Sequence, residues 1–480
     1  MSGKAWVIGS GPNGLAAAIV LVQGGVAVDV LEAEPLPGGA VRTLELTLPG
    51  FLHDFGSAVY PLGAGSPFFS SLPLANHGLN WIHSPAPLAH PLDDGTAVVL
   101  ERDLDETKKS LGVDGAAWDK LMRPFVEGWS VLAPEILRPV SFFPRHPFLM
   151  ARFGIAGLSS ARTLARRFRG ERTRALFAGL AAHSFLSMDE PLSAAFGLLM
   201  AISAHAVGWP IPRGGAQSLT NALCGCLRTL ECKVKTSSPV HDVADLGNYD
   251  LVLCDVTPRQ LVNIAGKQLS ESYKRQLGRY RYGPGVFKVD YALSAPIPWR
   301  AVDCLRAATV HLGGSFDEIA ASEQAVRSGE HADPPFVLLA QPSLFDSSRA
   351  PVGKHTAWAY CHVPNGSKVD MLAKLEQQIK LEQQIERFAP GFRDCILARR
   401  VFSPSDLESM DANLVGGDIG GGVMDIRQFL FRPTRSHYAT SAKDIYICSS
   451  STPPGGGVHG MCGYHAAKTA LSRWNARLQS

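Results

Sequence analysis

The sequence predicts an α/β fold: a discontinuous Rossmann-like domain with an inserted α+β domain. Three observations predict it. A strand–glycine turn–helix pattern opens the chain, and a similar pattern closes it. A middle stretch, Arg213-Gly214-Gly215 before a helix through Cys226, leads into two strand-like runs, VKTSSPVHDV and YDLVLCDVTP. The dinucleotide domain is therefore expected from residues 1–70, 206–284 and 431–480. The substrate or lid domain is expected from 71–205 and 285–430.

The opening segment carries the strongest signal. KAWVIG reads as a short buried strand, followed by Gly9-Ser10-Gly11-Pro12-Asn13-Gly14 and the apolar run LAAAIVLVQGG. The next strand, VAVDVLEAE, places Glu32 eighteen residues beyond Gly14. A GxGxxG alone is weak, but strand, helix and terminal acid together form the dinucleotide fingerprint. Gly9 permits the tight turn, and Gly11 lets the backbone approach a pyrophosphate. Gly14 lets the helix pack on the strand. The helix amino terminus then stabilises phosphate charge. Pro12 sits in the first turn, where its missing N–H is no loss. Glu32 is placed to accept from a ribose diol and would repel a 2′-phosphate.

Further segments extend the site. Pro37-Gly38-Gly39-Ala40-Val41-Arg42-Thr43 offers close approach at the glycines and cationic donors at Arg42. This extension resembles the flavoprotein pattern, in which the stretch runs beside the FAD pyrophosphate and ribityl chain. Near the carboxyl end, Ile445 to Cys448 reads as a strand. A Ser/Gly loop follows, then a helix starting near Gly460. Amides around Gly460 and Met461 are candidates to stabilise negative charge on a reduced flavin. Val240 is expected where backbone pairing to adenine would occur.

Taken together, GSGPNGLAAA, PGGAVRT, HDFGSAVYPLG, AHAVGWPIPRGG, HTAWAYCHVPNGS, RFAPGFRD, GGDIGGG and CSSSTPPGGGVHGMCGYHAA resemble the phytoene desaturase-like FAD oxidoreductases. These lie within the amine oxidase-type flavoprotein superfamily. The likeness is greatest to the bacterial group related to pyridine nucleotide-disulfide oxidoreductase domain-containing protein 2. The resemblance implies FAD contacts at Gly9, Gly11, Asn13, Gly14, Glu32, Ala33, Gly39, Arg42, Val240 and the 457–461 loop, including Gly457, Val458, Gly460 and Met461. Pro12, Gly38, Ala40 and Ser450 complete the expected set, with serine hydroxyls at 449–450 replacing part of the ribityl hydrogen bonding.

Composition excludes other classes. The chain has 480 residues, 46% of them apolar, and its 46 basic and 43 acidic residues leave a net charge of +3. No global charge field points to nucleic acid. Nine cysteines include no CxxC, so neither a zinc ribbon nor a thioredoxin-type centre is expected. The CxC of Cys224 and Cys226 reads as small core residues of a helix. Without a secretory signal, a reduced cytoplasmic setting is the default. Pro191 to Pro212 is uncharged and long enough to span a bilayer, but reads as a buried helix.

From Arg138 to Arg174 there are nine arginines and one acid, Glu171. Phe142, Phe143, Phe148, Phe153 and Phe168 are interleaved. This suits peripheral membrane contact through 134–174, a substrate mouth, a subunit interface of a homo-oligomer, or an ordinary solvated helix pair. The doubled LEQQI at 375–379 and 381–385 suggests an exposed helix. His53, His183, His205, His362 and His459 are candidate proton carriers, although structural hydrogen bonding is the simpler role. Catalytic residues stay unassigned, and no metal site is expected.

One dinucleotide fingerprint is expected, because the glycine clusters at 313–314, 416–417 and 420–422 do not read as suitable strand–helix corners. Electrons would pass from FAD to oxygen or a quinone. The expected activity is hydride removal from a C–H bond of a largely apolar substrate, isoprenoid or polyene in the family example. Amine oxidation, redox-neutral isomerisation and a non-catalytic flavin-binding role stay open.

Overall fold

The computed structural model describes residues 3–141, 143–368 and 375–479. Phe142 of the aromatic set lies outside them. Five parallel strands form one sheet in the spatial order Ile445–Ile447, Leu251–Cys254, Lys4–Ile8, Ala27–Leu31, Lys233–Lys235. The first strand is central, so the chain winds outward from it in both directions. Such a switch in strand order leaves a crevice at the carboxyl ends of the strands. In register, Ile8 pairs with Leu31 and Cys254, and Cys254 pairs with Ile447. Four strand ends therefore finish at one level.

The helix Pro12–Gln23 is buried from Asn13 through Leu21. Its nearly unbroken apolar sequence suits a helix covered on most sides. The last helix, Met461–Gln479, lies against it. A Cβ on Gly463 would fall 1.8 Å from the Asn13 carbonyl oxygen. The two helices thus touch backbone to backbone, and both ends of the chain build one layer.

The second sheet has seven strands, ordered Ile396–Phe402, Gly285–Leu293, His355–Val363, Val337–Ala340, Ala307–Leu312, Ala86–Pro91, Ala97–Leu100. Its pairings are antiparallel except the parallel contact between Ala307–Leu312 and Ala86–Pro91. Helices between Leu104 and Ala206 pack against one end of it, burying Leu88, Val98 and Leu100 with Trp118, Phe125 and Phe177. Arg349, between the strands Val337–Ala340 and His355–Val363, ties the second sheet to a short hairpin of Thr43–Glu45 and Leu52–Asp54. Its side chain is fully buried, lies 2.7 Å from Asp54 Oδ2 and donates to the Leu52 carbonyl.

Several elements differ from expectation. VKTSSPVHDV keeps only Lys233–Lys235 as a strand. Beyond it, the Ser237 and Ser238 amides donate to the Glu34 and Glu32 carbonyls, folding the segment back toward the glycine turn. The second LEQQI copy is not exposed. Leu381 and Ile385 enter the core, and Glu382 pairs with Arg399. Side chains of the first copy lie outside the described residues. The uncharged stretch holds the helix Ser193–Ala206, and no described helix is long and apolar enough to cross a membrane.

Candidate functional site

The aligned strand ends bring Gly9, Glu32, Asp255 and Ser450 to one edge, where a cavity of about 1340 Å³ begins. It runs from this edge, past the second sheet, to the helices Pro147–Gly157 and Ser193–Ala206. Ligand pockets ordinarily measure roughly 300–1,000 Å³, so this cavity is larger than one small molecule requires.

At the polar end, Gly9 adopts φ +94° and its N–H donates to the Leu31 carbonyl at 2.8 Å. Gly14 serves the packing expected of it, since a Cβ there would stand 2.1 Å from the Gly9 carbonyl oxygen. Glu32 is buried and accepts from the Ser10 amide at 2.8 Å, the Ser10 hydroxyl at 2.6 Å and the Glu34 amide at 2.9 Å. A carboxylate has about four acceptor positions, so one is left toward the cavity. Those bonds tie the turn to the second strand.

Thirteen of the expected residues lie on the cavity wall: Gly9, Gly11, Pro12, Asn13, Glu32, Ala33, Gly39, Ala40, Arg42, Val240, Ser450, Gly457 and Val458. Four stand behind it: Gly14, Gly38, Gly460 and Met461. Gly38 packs on Val41 and Thr220, and Gly460 on Phe69. The Met461 amide donates to His459 Nδ1 at 3.0 Å. It is therefore spent within the loop, and Gly457 and Val458 present the loop to the cavity instead.

The donor set fits a dinucleotide. Arg42 is buried, its Nη2 donates to the Met410 carbonyl at 2.8 Å, and its Nε has no partner. Asn13 Oδ1 is likewise buried and unpartnered. Buried polar atoms without partners are rare, because each forfeits its hydration. Two beside a glycine turn and a helix amino terminus suit an anionic, hydroxylated ligand.

Sequence reasoning missed Asp255. It follows the strand Leu251–Cys254 just as Glu32 follows Ala27–Leu31. Its Oδ2 accepts from the Gly14 amide at 2.8 Å. Burial pushes its carboxyl up to about 7, helped by Asp411 and Glu32 and opposed by the Gly14 bond. The signal was present in LVLCD, an apolar strand closed by an acid. Gly420, Gly421 and Gly422 also line the cavity, although no helix corner surrounds them. The pair at 313–314 does stand between a strand and a helix. That helix, Phe316–Arg327, is already capped by Ser315, and its first amide donates to Glu171. No phosphate position remains there.

The far chamber is mostly apolar. Val286, Leu338, Trp358 and Tyr360 form its sheet wall, and Leu192, Phe196, Leu199 and Met200 its helix wall. Lys288 is the exception. Its ammonium donates to Asp290 and lies 5.6 Å from the Trp358 ring centre. The strand Gly285–Leu293 is buried throughout. Period two puts Val286, Lys288 and Asp290 on one face, with Phe287, Val289 and Tyr291 on the other.

Of the five candidate histidines, His183 and His459 line the cavity and the others do not. Burial lowers His183 to about 3 and His459 to about 4, so both are neutral near pH 7. His183 Nε2 lies 3.1 Å from His311 Nε2. His53 bonds Thr47, His205 accepts from Trp118, and His362 pairs with Glu323. Those three are structural. All nine cysteines are free, and no metal-type cluster occurs among the described residues.

Comparison with known proteins agrees with this geometry. Residues 7–71 match the NAD(P)-binding Rossmann-like domain model. Pyridine nucleotide-disulfide oxidoreductase domain-containing protein 2 of Rattus norvegicus is 26% identical, over 96% of this chain and 92% of its own. The lycopene-forming phytoene desaturase of Pseudescherichia vulneris is 23% identical, over 98% of both. An oxidoreductase structure from Methanosarcina mazei superposes with TM-score 0.66 at 16% identity, covering 98% of this chain and 100% of that one. Fold and site define a Rossmann-type dinucleotide-binding protein whose relatives include oxidoreductases and a desaturase. Within that class, the chain is a near full-length relative of pyridine nucleotide-disulfide oxidoreductase domain-containing protein 2.

Proposed function

We propose that the protein is an FAD-dependent dehydrogenase of the desaturase type, acting on a C–H bond of a largely apolar substrate. The observation that carries this reading is one continuous cavity, polar and glycine-lined at the strand ends and apolar beyond. Bound FAD would accept hydride from a carbon held in the chamber and pass the electrons on to oxygen or a quinone.

The chain's own residues would hold the cofactor and shape the chamber. Glu32 would accept from the adenosine ribose, Arg42 Nε would donate to the pyrophosphate, and Val240 would meet the adenine. Gly457 and Val458 would bring backbone close to the ring system. Leu199, Met200, Trp358 and Tyr360 would exclude water and orient an apolar chain. Among the described residues Lys288 is the one ammonium on the sheet wall, suited to hold or move a proton at Nζ.

The test is the visible spectrum of the purified protein, photoreduced without air and then mixed with oxygenated buffer. The reading expects a flavin spectrum, slow reoxidation, and bleaching by polyenes with a quinone acceptor in lipid. Fast reoxidation with peroxide and bleaching by amines would move the assignment to an amine oxidase. Failure to retain or take up FAD would overturn it.

A further inference from the structure

One row of the second sheet carries polar atoms into the chamber. Cross-strand pairing sets Lys288 opposite Tyr360, Tyr360 opposite Leu338, and Leu338 opposite His311. Residues opposed in this way share a face. Here it is the cavity face, which Lys288, Tyr360 and Leu338 all line. The Lys288 ammonium is already engaged with Asp290. Tyr360 is not so engaged. It is 6% exposed, and its hydroxyl makes no hydrogen bond among the described residues, yet is not sealed from the cavity. Burial raises its phenol above the ordinary value, so Oη keeps its proton and can donate it.

At the other end of the row, His311 is fully buried and meets the cavity only through His183, Nε2 to Nε2 at 3.1 Å. Burial lowers both imidazoles, so both are neutral and one proton lies between the two nitrogens. His311 Nδ1 has no partner and packs against Gly179, where a Cβ would stand 2.7 Å away. A buried N–H without an acceptor is a rarer orphan than a bare acceptor, which assigns the His311 proton to Nε2. His183 Nε2 then accepts, and its own proton sits on Nδ1. That Nδ1 makes no hydrogen bond among the described residues and, like Tyr360 Oη, is not sealed from the cavity. Two strand spacings, about 10 Å, separate Tyr360 from His311 across the sheet. Two free donors therefore serve one stretch of an otherwise apolar wall.

We propose that the chamber takes an apolar molecule bearing a carbonyl group, whose oxygen accepts from Tyr360 Oη and His183 Nδ1. A carbonyl oxygen has two lone pairs and no proton to give, so it complements a pair of donors. A plain hydrocarbon would cover both donors and satisfy neither. The proposal names the substrate class of the dehydrogenase reading and rests on it.

The test is fluorescence titration of the full chain as purified, read at Trp209 and Trp358 on the cavity wall, with 2-tridecanone and with tridecane. Apolar burial alone ranks tridecane first. The expected order is the reverse, with the ketone bound roughly tenfold more tightly. Tyr360→Phe and His183→Phe should each weaken the ketone roughly threefold and leave tridecane unchanged. Tyr360→Phe keeps the ring and removes only the hydroxyl, so it decides the matter even where His183→Phe disturbs folding. Tridecane bound as tightly as the ketone, or a ketone affinity indifferent to Tyr360→Phe, overturns this inference and leaves the apolar-substrate reading standing. Binding of neither ligand overturns both.

Discussion

At Gly14 the helix meets the first strand with no room for a side chain, and at Gly11 a Cβ would stand 2.7 Å from Asp255 Oδ2. Gly14→Ala is expected to lower the unfolding free energy in urea by about 1–3 kcal/mol. Gly11→Val should fold yet lose flavin, read as the ratio of visible to protein absorbance. Full occupancy in that variant would refute the assigned turn. Asp255 supplies a pH signature. Its folded-state pKa, about 7, lies above its unfolded value. Its stabilising contribution is therefore complete below about pH 4 and is lost as the pH rises to about 7. Asp255→Asn should flatten that part of the stability curve, measured by urea unfolding across the range.

At the scale of elements, the strand Gly285–Leu293 shows where sequence reading ends. The opening corner was legible because GSGPNG, its flanking apolar runs and Glu32 are all local. Lys288 was not, because its importance depends on which face of a fully buried strand meets the cavity. That is decided by pairing with His355–Val363 and Ile396–Phe402, segments distant in sequence. Asp255 lay between these cases: its strand was readable, but not its place beside the first. The glycines at 420–422 reach the cavity through tertiary folding alone. Lys288→Met leaves buried Asp290 without its ammonium partner and should cost about 3–5 kcal/mol. Lys288→Met/Asp290→Asn should recover much of that loss in thermal unfolding while turnover stays low. Turnover at the wild-type rate in the double variant would remove Lys288 from the chemistry.

Over the whole molecule, buried histidines dominate the acid side. Burial holds His53 and His183 at about 3, and His90, His205, His459 and His465 at about 4. In the unfolded chain each would protonate near 6.5. Their contribution to stability is thus present above that value and is lost as the pH falls toward 4. Burial raises Asp255 to about 7 and Asp290 to about 6, and Asp411 and Asp418 likewise, and these pull the other way; the histidines, which burial also lowers at His83, His311, His355 and His437, outnumber them. The melting temperature should fall between about pH 6.5 and about pH 5. A rise over that interval would mean that the carboxylates govern.

The backbone contact between Gly463 and Asn13 also sets an order in time. The first two strands and their helix leave the ribosome early, but the strand Ile445–Ile447 and the helix that clasps them arrive after more than four hundred further residues. Until then the glycine turn has only half of its walls. A nucleotide bound at this turn would therefore be captured only after those residues are made, and a stalled nascent chain would expose its apolar first helix to chaperones.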